Sequence, residues 1–293
     1  MSFIVSDGSD PVATVQILLE ALPYIEEFRG AVVVVKFGGN AMVSPELFAD
    51  FAKDIFLMHR IGIRPVVIHG GGPQIGHWLE RIGKESEFVD GRRVTDAETL
   101  EIAQMVLLGK VNSQIVTALN AFGPVAVGLS GTDAMMLEVE PHGDALGFVG
   151  SVTKVNPALV NRTLANDMIP VVATIGADSE GQIYNINADD AATAIAQALG
   201  AEKLIFLSDV PGVLRDVDQP ESLINKLTVD EALDLIEDGT IAGGMVPKVL
   251  GCISSLEHGV GSAHLIDGRV PHVLLLELLT SAGVGTMIMK GTR

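Results

Sequence analysis

The sequence predicts an α/β fold in which a largely parallel β-sheet is flanked by helices. Apolar segments of strand length alternate with segments of helical periodicity along almost all of the 293 residues. Segments such as 32–35, four successive valines, are apolar without alternation, which is typical of strands buried on both faces. Glycine turns follow several of these segments. Because open α/β sheets bind ligands beyond the carboxyl ends of their strands, these turns are the candidate functional positions.

Composition excludes several classes of function. The formal net charge of −18 argues against nucleic acid or an anionic membrane as a partner, because phosphate groups are bound by concentrated lysine and arginine. Cys252 is the only cysteine, so an intramolecular disulfide and a cysteine-rich metal site are excluded, and we expect a small buried side chain there. The first ten residues lack a basic leader, and no apolar run reaches the length of a membrane span, so we expect a cytoplasmic protein.

The first predicted element is a helix that starts at Pro11 with Asp10 as its N-cap, and Pro23 should kink it. Its apolar residues recur at helical spacing: Val15, Leu18, Leu22, Ile25 and Phe28. This helix precedes the first core strand. Its apolar side therefore either folds back on its own chain or packs on another subunit, and the pattern alone leaves both open.

Two strand–glycine–helix units follow. The first strand ends at Lys36, and Gly38 and Gly39 let the backbone turn and bring its N–H groups close to a bound group; the alternative is a turn with a surface lysine. The second strand, 65–69, runs into three glycines and Pro73, which open directly onto a helix N-terminus suited to an anion. Two such units in tandem favour a phosphate-binding cradle.

Residues 87–95 alternate in polarity and contain Asp90-Gly91, a hairpin turn signal, ahead of Arg92 and Arg93. Neighbouring residues on a strand face opposite ways, so we expect at most one of these arginines in any given pocket and the other as a surface charge. Thr95, with a glutamate three residues later, is predicted to cap a helix that runs to 108.

The remaining elements continue the alternation. Strands are predicted at 125–129, 135–139, 148–155, 169–175, 203–207, 263–266 and 284–289, and helices from Ser44 to Gly62, after Pro73, after Pro157, at 188–199, at 229–237, up to His258 and at 273–279. Asn187 can cap the helix at 188–199, with Asp189 and Asp190 in its first turn. Capping accounts for Asn187 and one aspartate, but not for two asparagines, Asn185 and Asn187, beside two carboxylates.

These features suit phosphoryl transfer better than other chemistries. Lys36 and Lys248 each lie near a glycine pair, and an acidic helix start lies between them in sequence. A Gly-x-Ser-x-Gly elbow is absent, and the seven histidines show no metal-ligand spacing. The motifs Gly-x-x-x-x-Gly-Lys-Ser/Thr and Gly-x-Gly-x-x-Gly are also absent, so the chain is neither a P-loop enzyme nor an ordinary dinucleotide binder.

Six ordered segments resemble the motifs of the amino acid kinase family. They are 36–42 (KFGGNAM), 69–75 (HGGGPQI), 91–96 (GRRVTD), 185–189 (NINAD), 207–213 (LSDVPGV) and 243–248 (GGMVPK). The glycine and lysine segments belong to the whole family, whereas Arg93 and the 185–189 run point to the branch that acts on N-acetyl-L-glutamate. The resemblance implies a three-layer sandwich in two lobes, residues 31–200 for acetylglutamate and 201–293 for ATP and arginine, after an N-terminal helix in 1–30 that serves oligomerisation.

The resemblance implies transfer of the ATP γ-phosphoryl group to the side-chain carboxylate of N-acetyl-L-glutamate, a step of arginine biosynthesis. Lys36 would lie on the transferring phosphoryl group, and Lys248 on the γ-phosphate and the leaving-group charge. Asp189 would hold both ammonium groups, and the backbone N–H groups of Gly39 and Gly71 would receive phosphoryl oxygens. Mg²⁺ would be held chiefly by ATP oxygens, with no dedicated protein metal site.

Arg93 would pair with the α-carboxylate of the substrate, for which a bidentate fork fits better than a lysine. Two further sets of residues would complete the binding sites. The acetylglutamate set is Gly71, Gly72, Asn185 and Asn187. The nucleotide set is Ser208, Asp209, Val210, Pro211, Gly212, Val213, Thr240, Ile241 and Ala242.

The helix before Lys36 resembles the N-terminal extension of arginine-inhibited members, in which it links dimers into a homohexamer, a trimer of dimers. The residues that match the region where those enzymes hold L-arginine are Tyr24, His264, Glu277, Gly283 and Gly285. From the residues alone, Glu277 near the end of an apolar segment is either a guanidinium partner or a solvated surface charge.

The chain departs from the family pattern after 127–131, where a lysine and Asp-Gly are common and Thr132-Asp133-Ala134 stands here, which puts an anion contact from position 132 in doubt. Other members act on carbamate, aspartate, glutamate or a nucleoside monophosphate, and Arg93 with the two asparagines disfavours these. A non-catalytic arginine sensor is a further alternative. The presence of Lys36, Asp189 and Lys248 speaks against it.

Overall fold

The computed structural model describes residues 11–89, 91–281 and 283–291 of the chain. The expected N-cap Asp10 and the hairpin residue Asp90 lie outside the described residues.

Eight strands form one sheet at the centre of the molecule. The strands of the described residues are β1 (Val32–Phe37), β2 (Arg64–His69), β3 (Phe88–Val89), β4 (Arg92–Arg93), β5 (Ala126–Ser130), β6 (Leu137–Pro141), β7 (Val149–Val155), β8 (Ile169–Ala173), β9 (Ile175–Ala177), β10 (Ile183–Ile186), β11 (Lys203–Ser208), β12 (Lys226–Thr228), β13 (Ser262–Asp267) and β14 (Thr286–Met289). The order in the sheet is β12-β14-β13-β11-β1-β2-β8-β5. Its strand pairs are parallel apart from β13 with β14, so the largely parallel sheet is confirmed.

The helices of the described residues are α1 (Pro11–Phe28), α2 (Pro45–Arg60), α3 (Gly72–Arg81), α4 (Ala97–Asn120), α5 (Ala158–Ala165), α6 (Ala188–Leu199), α7 (Val229–Glu237), α8 (Met245–Glu257) and α9 (Val273–Leu279). Their ends follow local chemistry. Ser44 caps α2 by accepting a hydrogen bond from the N–H of Leu47, and Thr228 caps α7 in a capping box with Glu231. Gly200, with φ of 57°, ends α6 in the left-handed conformation that glycine adopts without strain.

The valine run of β1 explains the three layers. Val33 and Val35 belong to one apolar core, shared with buried residues of α2, α4 and α9. Val34 belongs to a second core, shared with buried residues of α6 and α8. Because successive side chains of a strand face opposite ways, a run without polar residues is buried on both faces of the sheet. The structure therefore confirms a central sheet between two helical layers. Cys252 is fully buried, as expected, and burial raises the pKa of its thiol.

Helix α4 differs from its prediction. Its N-cap is Asp96 and not Thr95, and it continues past 108 to Asn120, with π-helical hydrogen bonding from Met105 to Asn112. Of the helices in the described residues, α4 is the one that is long and apolar enough to cross a membrane. The sequence does not predict this length, because the pattern indicates a helix that ends at 108. Seven of its apolar residues enter the core: Ile102, Ala103, Val106, Leu107, Val111, Ile115 and Leu119.

Helix α1 is confirmed and runs through Pro23 without interruption. Most of its apolar side chains are exposed in the single chain, by 44–65%: Val12, Val15, Ile17, Leu18, Leu19 and Leu22. Phe28 at its end is buried, and the helix packs against α9 there. Within this chain, then, the described residues do not cover the apolar side of α1.

The topology places the glycine turns side by side. Phe37 at the end of β1 lies opposite His69 at the end of β2, and Lys36 lies opposite Phe206 of β11. The peptide N–H of Gly70 reaches the carbonyl of Phe37 at 3.4 Å. Four more strands, β6, β7, β9 and β10, close a small barrel beside this edge of the sheet.

Candidate active site

Two lysines from distant parts of the chain meet on one carboxylate. Nζ of Lys36, at the end of β1, lies 3.0 Å from Oδ1 of Asp189, and Nζ of Lys248, in the first turn of α8, lies 2.5 Å from Oδ2 of the same residue. The side chains of these three residues are only 13–24% exposed. Asn187 holds the start of α6 by accepting hydrogen bonds from the N–H groups of Asp189 and Asp190. Capping thus fixes the residue on which both lysines converge.

The charge of Asp189 is stabilised by these partners. Burial alone would raise the pKa of its carboxyl, but the charges of Lys36 and Lys248 outweigh burial and hold the pKa at about 2. The cluster therefore carries one negative and two positive charges at neutral pH. Its net positive charge suits a polyanion.

Two glycines of the turns leave no room for a side chain. Gly39 has φ of 68°, and a Cβ there would lie 2.6 Å from the carboxylate oxygens of Asp209. A Cβ on Gly71 would lie 2.7 Å from Cδ2 of Leu107 in α4. Backbone N–H groups in such turns, next to the N-terminus of α3, are available to an anion.

Two cavities meet at Lys36 and Gly39, which line both. The first contains every residue predicted for acetylglutamate and both glycine turns: Gly71, Gly72, Arg93, Asn185 and Asn187. The second contains every residue predicted for the nucleotide: Ser208, Asp209, Val210, Pro211, Gly212, Val213, Thr240, Ile241 and Ala242. The predicted sets are thus brought together as two neighbouring groups, with the lysine cluster at their boundary.

Arg93 is held rigidly in the first cavity. Nη2 donates to the carbonyl of Gly72 at 2.9 Å, Nη1 donates to the hydroxyl of Ser86, and the guanidinium lies 4.6 Å from the centre of the Phe88 ring. Burial lowers its pKa. Asn185 lines the same cavity, and its Nδ2 donates to Oγ1 of Thr95 at 3.4 Å. A guanidinium fixed in this way presents a preorganised partner to a carboxylate.

The prediction that Arg92 is a surface charge is wrong. Nη2 of Arg92 lies 2.7 Å from Oδ2 of Asp190, its side chain is 20% exposed, and it lines the first cavity together with Arg93. Alternation is a weak guide here because β4 is only two residues long, and both arginines line the cavity. Asp190, next to the helix cap Asn187, is visible in the sequence as a carboxylate in need of a partner. The sequence does not show that this partner is Arg92, 98 positions earlier.

Four of the five residues predicted for arginine lie on or next to β13, α9 and β14, and the fifth, Tyr24, lies on α1. Nδ1 of His264 on β13 lies 2.7 Å from Oε1 of Glu277 on α9, and both side chains are buried, to 2% and 6% exposure. Oε2 of Glu277 accepts from the N–H of Val284. Gly283 and Gly285 precede β14, and their carbonyls face the amide of Asn225 at 3.0 and 3.4 Å. Tyr24 is half-buried on α1.

Buried Glu277 is charged because of its neighbours. Burial by itself would raise the pKa of its carboxyl, but the hydrogen bond from His264 and the charges nearby lower it. Burial also lowers the pKa of His264 and of Lys203, whose Nζ lies 3.3 Å from Nε2 of His264. Lys203 stands over the Phe28 ring of α1 at 4.8 Å. The reading of Glu277 as a solvated surface charge is therefore wrong.

Thr132, which stands where the family commonly has a lysine, forms its hydrogen bond within its own turn. Oγ1 of Thr132 lies 2.8 Å from Oγ of Ser130, and Asp133 accepts a hydrogen bond from the N–H of Ser130. Ala134 has φ of 51°, a left-handed conformation that is unusual for a residue other than glycine. Thr132 lines neither of the two cavities described above.

Comparison with known proteins agrees with this geometry. Residues 31–267 match the model of the amino acid kinase family. The chain is 52% identical over 281 residues to the acetylglutamate kinase of Synechococcus sp. (strain CC9311), an alignment that covers 96% of this chain and 99% of that protein. It is 50% identical over 292 residues to the acetylglutamate kinase of Moorella thermoacetica, with 96% and 99% covered.

Solved structures share the architecture. N-acetylglutamate synthase from Neisseria gonorrhoeae, complexed with coenzyme A and N-acetyl-glutamate, superposes with a TM-score of 0.85 at 29% identity; the match covers 97% of this chain, which spans 65% of that structure. The carbamate kinase of Giardia lamblia bound to AMP-PNP has the same fold, with a TM-score of 0.65 at 20% identity over 89% of this chain and 99% of that one. The chain belongs to the amino acid kinase family, in the branch formed by the acetylglutamate kinases.

Proposed function

We propose that the protein transfers the γ-phosphoryl group of ATP to the side-chain carboxylate of N-acetyl-L-glutamate, a step of arginine biosynthesis. The observation that carries this proposal is the pair Lys36 and Lys248, both within 3.0 Å of Asp189 at the boundary between two cavities. Relatives at 50–52% identity over nearly the whole chain bear the name acetylglutamate kinase.

The chemical problem is repulsion between a carboxylate and a triphosphate. Catalysis of such a transfer consists mostly of positioning and of neutralising charge. In our assignment Lys36 contacts the transferring group from the acetylglutamate side, and Lys248 neutralises charge on the nucleotide side. Asp189 keeps both ammonium groups in place, and the N–H groups of Gly39 and Gly71 stabilise the phosphoryl oxygens in the transition state.

Specificity is assigned to the first cavity. Arg93 would bind the α-carboxylate, since its guanidinium is fixed by Gly72 and Ser86 before any substrate arrives. The side chains of Asn185 and Asn187 offer amide groups that can recognise the acetamido group. This support from the geometry favours N-acetylglutamate over carbamate or free glutamate, which lack that group.

Mg²⁺ is proposed to accompany ATP. Magnesium keeps several waters and is commonly bound through substrate phosphates and one or two carboxylates. Asp209 supplies a carboxylate in the nucleotide cavity, against Gly39, which is compatible with such a metal; the ion would neutralise phosphate charge. We also assign residues 31–200 and 201–293 to an acetylglutamate lobe and an ATP lobe, and the enzyme to the cytoplasm.

Acceptor choice tests the proposal directly. With ATP and Mg²⁺, we expect ADP formation that depends on N-acetyl-L-glutamate, and much slower turnover with glutamate, aspartate or carbamate at equal concentration. The acyl phosphate is trapped as its hydroxamate. Equal rates with free glutamate would overturn the assignment of the acceptor, and phosphorylation of carbamate alone would place the enzyme in another branch of the family.

Removal of one lysine tests the charge cluster. We expect Lys248→Ala to lower kcat by about a hundredfold or more, because a preorganised positive charge at the reacting phosphates is lost. Lys53→Ala, which removes another lysine paired with an aspartate (Asp50) but outside both cavities, should leave kcat unchanged. Circular dichroism checks that both variants fold. Near-normal turnover of Lys248→Ala would contradict the role given to Lys248.

We further propose inhibition by L-arginine at the site around His264 and Glu277, in a homohexamer of three dimers. The support is the buried carboxylate of Glu277, which can bind a guanidinium or ammonium group, and the exposed apolar side of α1, which can pack on another copy. A structure of the Neisseria gonorrhoeae synthase complexed with coenzyme A and L-arginine superposes with a TM-score of 0.80 at 26% identity.

A further inference from the structure

His69 is a buried polar side chain to which the proposed mechanism gives no role. It ends β2, directly before the glycines of the second turn, and it is fully buried. Nδ1 lies 3.0 Å from the carbonyl oxygen of Gly70, and Nε2 lies 3.0 Å from Nδ2 of Asn112. The ring does not line the acetylglutamate cavity. The ring therefore contacts the glycine turn on the side away from the cavity.

The hydrogen bonds select one tautomer of His69. Nδ2 of Asn112 also lies 2.9 Å from the carbonyl oxygen of Val171, which can only accept, so this amide nitrogen donates to both neighbours. Nε2 of His69 is consequently the acceptor. Nδ1 carries the proton and donates to the carbonyl of Gly70. Burial lowers the pKa of His69 to about 4, which keeps the ring neutral at physiological pH.

The peptide between Gly70 and Gly71 transmits this contact to the cavity. In a planar trans peptide the C=O and N–H bonds point in opposite directions, and the described residues contain no cis peptide. Because the Gly70 carbonyl points to His69, on the side of the turn away from the cavity, the N–H of Gly71 points toward the cavity. Within the described part of the chain this N–H makes no hydrogen bond. A peptide between two glycines rotates easily, so its orientation needs such a partner.

Helix α4 holds the arrangement from one side. Leu107 and Val111 pack on Gly71, and Asn112 binds His69. In regular α-helix, Leu107 and Asn112 would be about 140° apart around the axis. The π-helical stretch from Met105 to Asn112 brings them to one side, and such stretches commonly occur at functional sites.

We propose that His69 is a positioning residue which, by donating from Nδ1 to the Gly70 carbonyl, orients the Gly71 N–H toward the transferring phosphoryl group. The inference rests on the role of Gly71 in the proposed function. His69 itself does not touch substrate. Asn112 is its support, holding the ring in the tautomer that donates toward Gly70.

A matched pair of variants separates the two ring nitrogens. In His69→Asn the NH₂ group of the shorter amide takes the place of Nδ1 and can still donate to the Gly70 carbonyl. In His69→Gln the NH₂ group of the longer amide takes the place of Nε2 and cannot reach that carbonyl. Both variants lose the packing of the ring. We expect His69→Asn to keep kcat within about fivefold of the unaltered enzyme, and His69→Gln to lower it by about 10- to 100-fold, with a smaller change in KM for ATP.

Thermal unfolding of both variants shows whether they are equally stable. Equal kcat of the two, at equal folded fraction, would overturn the proposal, and so would near-normal kcat of His69→Gln. A second measurement needs no substitution: in NMR of the enzyme labelled with ¹⁵N-histidine, the His69 ring, assigned by its contact with the Asn112 side chain, should be protonated at Nδ1 and not at Nε2. The assignment is needed because buried His264 also places its Nδ1 on an acceptor, Glu277. Protonation at Nε2 would refute the geometry even if both variants fail to fold. Lack of acetylglutamate-dependent turnover in the unaltered enzyme would instead refute the proposed function.

Discussion

At the scale of single residues, two aspartates show how surroundings decide charge. Asp189 and Asp54 are both shielded from water, yet the pKa of Asp189 is about 2 and that of Asp54 is about 6. Two ammonium groups outweigh burial at Asp189. At Asp54, burial outweighs the one hydrogen bond, 2.6 Å long, between its Oδ1 and Nδ1 of His272. Asp189 thus keeps its charge between two ammonium groups, whereas burial opposes the ionisation of Asp54.

Asp54 gives a pH-dependent prediction. Its folded pKa is raised above the ordinary value of 3.8, so its contribution to stability is fully present below about pH 4 and is lost as pH rises through about 6. At pH 8 the buried charge costs up to about 3 kcal/mol. We expect Asp54→Asn to raise Tm by a few degrees at pH 8 and to have little effect at pH 4, measured by calorimetry. An equal loss of Tm at both values would show that the hydrogen bond to His272 matters more than the charge.

At the scale of elements, one ion pair connects the β3–β4 hairpin to helix α6. Arg92 precedes Arg93, which is assigned to the substrate carboxylate, and its partner Asp190 follows Asp189, which holds the lysines. We expect Arg92→Ala to raise KM for N-acetylglutamate about three- to tenfold, with a smaller effect on kcat, because the hairpin is less firmly placed and Asp190 is left unpaired beside an anionic substrate.

The two partners of this ion pair can be tested as a unit. Asp190→Asn should raise the KM for N-acetylglutamate as well. The KM of the double variant should be no higher than that of either single variant, because each single substitution already removes the ion pair. Lys84→Ala removes the pairs with Asp96 and Glu98 near the same hairpin but outside the cavity, and should leave KM unchanged. An effect of Arg92→Ala without any effect of Asp190→Asn would mean that Arg92 contacts substrate directly.

Elements were predictable where their signals are local. The glycine turns after β1 and β2, the Asn187 cap and the strands of the sheet other than β12 depend on short runs and appear as expected, whereas the three-residue edge strand β12 was not predicted. The start of α4 was mispredicted because Thr95 and Glu98 match a capping box, whereas the Thr95 hydroxyl donates to the carbonyl of Arg93 and Asp96 accepts from the N–H of Thr99.

Partners that are distant in the chain explain the other misses. The small barrel closes through strand pairs such as β7 with β10, which no local pattern encodes. Arg92 with Asp190 and His69 with Asn112 pair over 98 and 43 positions. The convergence of Lys36 and Lys248 was expected from family resemblance, and spacing alone does not predict it. Residue types at a site are thus visible in sequence, while the contacts that orient them are not.

At the scale of the whole molecule, the N-terminal helix is connected to the proposed arginine site. Phe28 at the end of α1 lies under Nζ of Lys203, and Lys203 lies 3.3 Å from His264, which binds Glu277. The exposed apolar residues of the same helix precede Phe28 by two to four turns. A contact between copies through this helix would therefore act on a segment whose other end touches the buried His264–Glu277 pair.

Shortening α1 tests this connection. Deletion of residues 1–22 removes the exposed apolar side chains but keeps Tyr24 and the buried Phe28, so the core remains intact. We expect a smaller assembly by light scattering, a kcat for acetylglutamate close to that of the full chain, and weaker inhibition by L-arginine. Assembly is lost because the apolar contact surface is absent, and inhibition weakens because the helix is no longer held by a neighbouring copy.

A substitution within the full chain separates loss of contact from loss of the helix itself. Leu18→Glu places a charge on the exposed apolar side, whereas Glu20→Gln alters a polar position on the same helix and serves as the control. The first should reproduce the deletion, because a buried charge in an interface is unfavourable, and the second should behave as the unaltered enzyme. If Leu18→Glu leaves both the size of the assembly and the arginine response unchanged, α1 is not the contact between copies. If the assembly shrinks while inhibition persists, arginine acts within one copy, through the His264–Glu277 region alone.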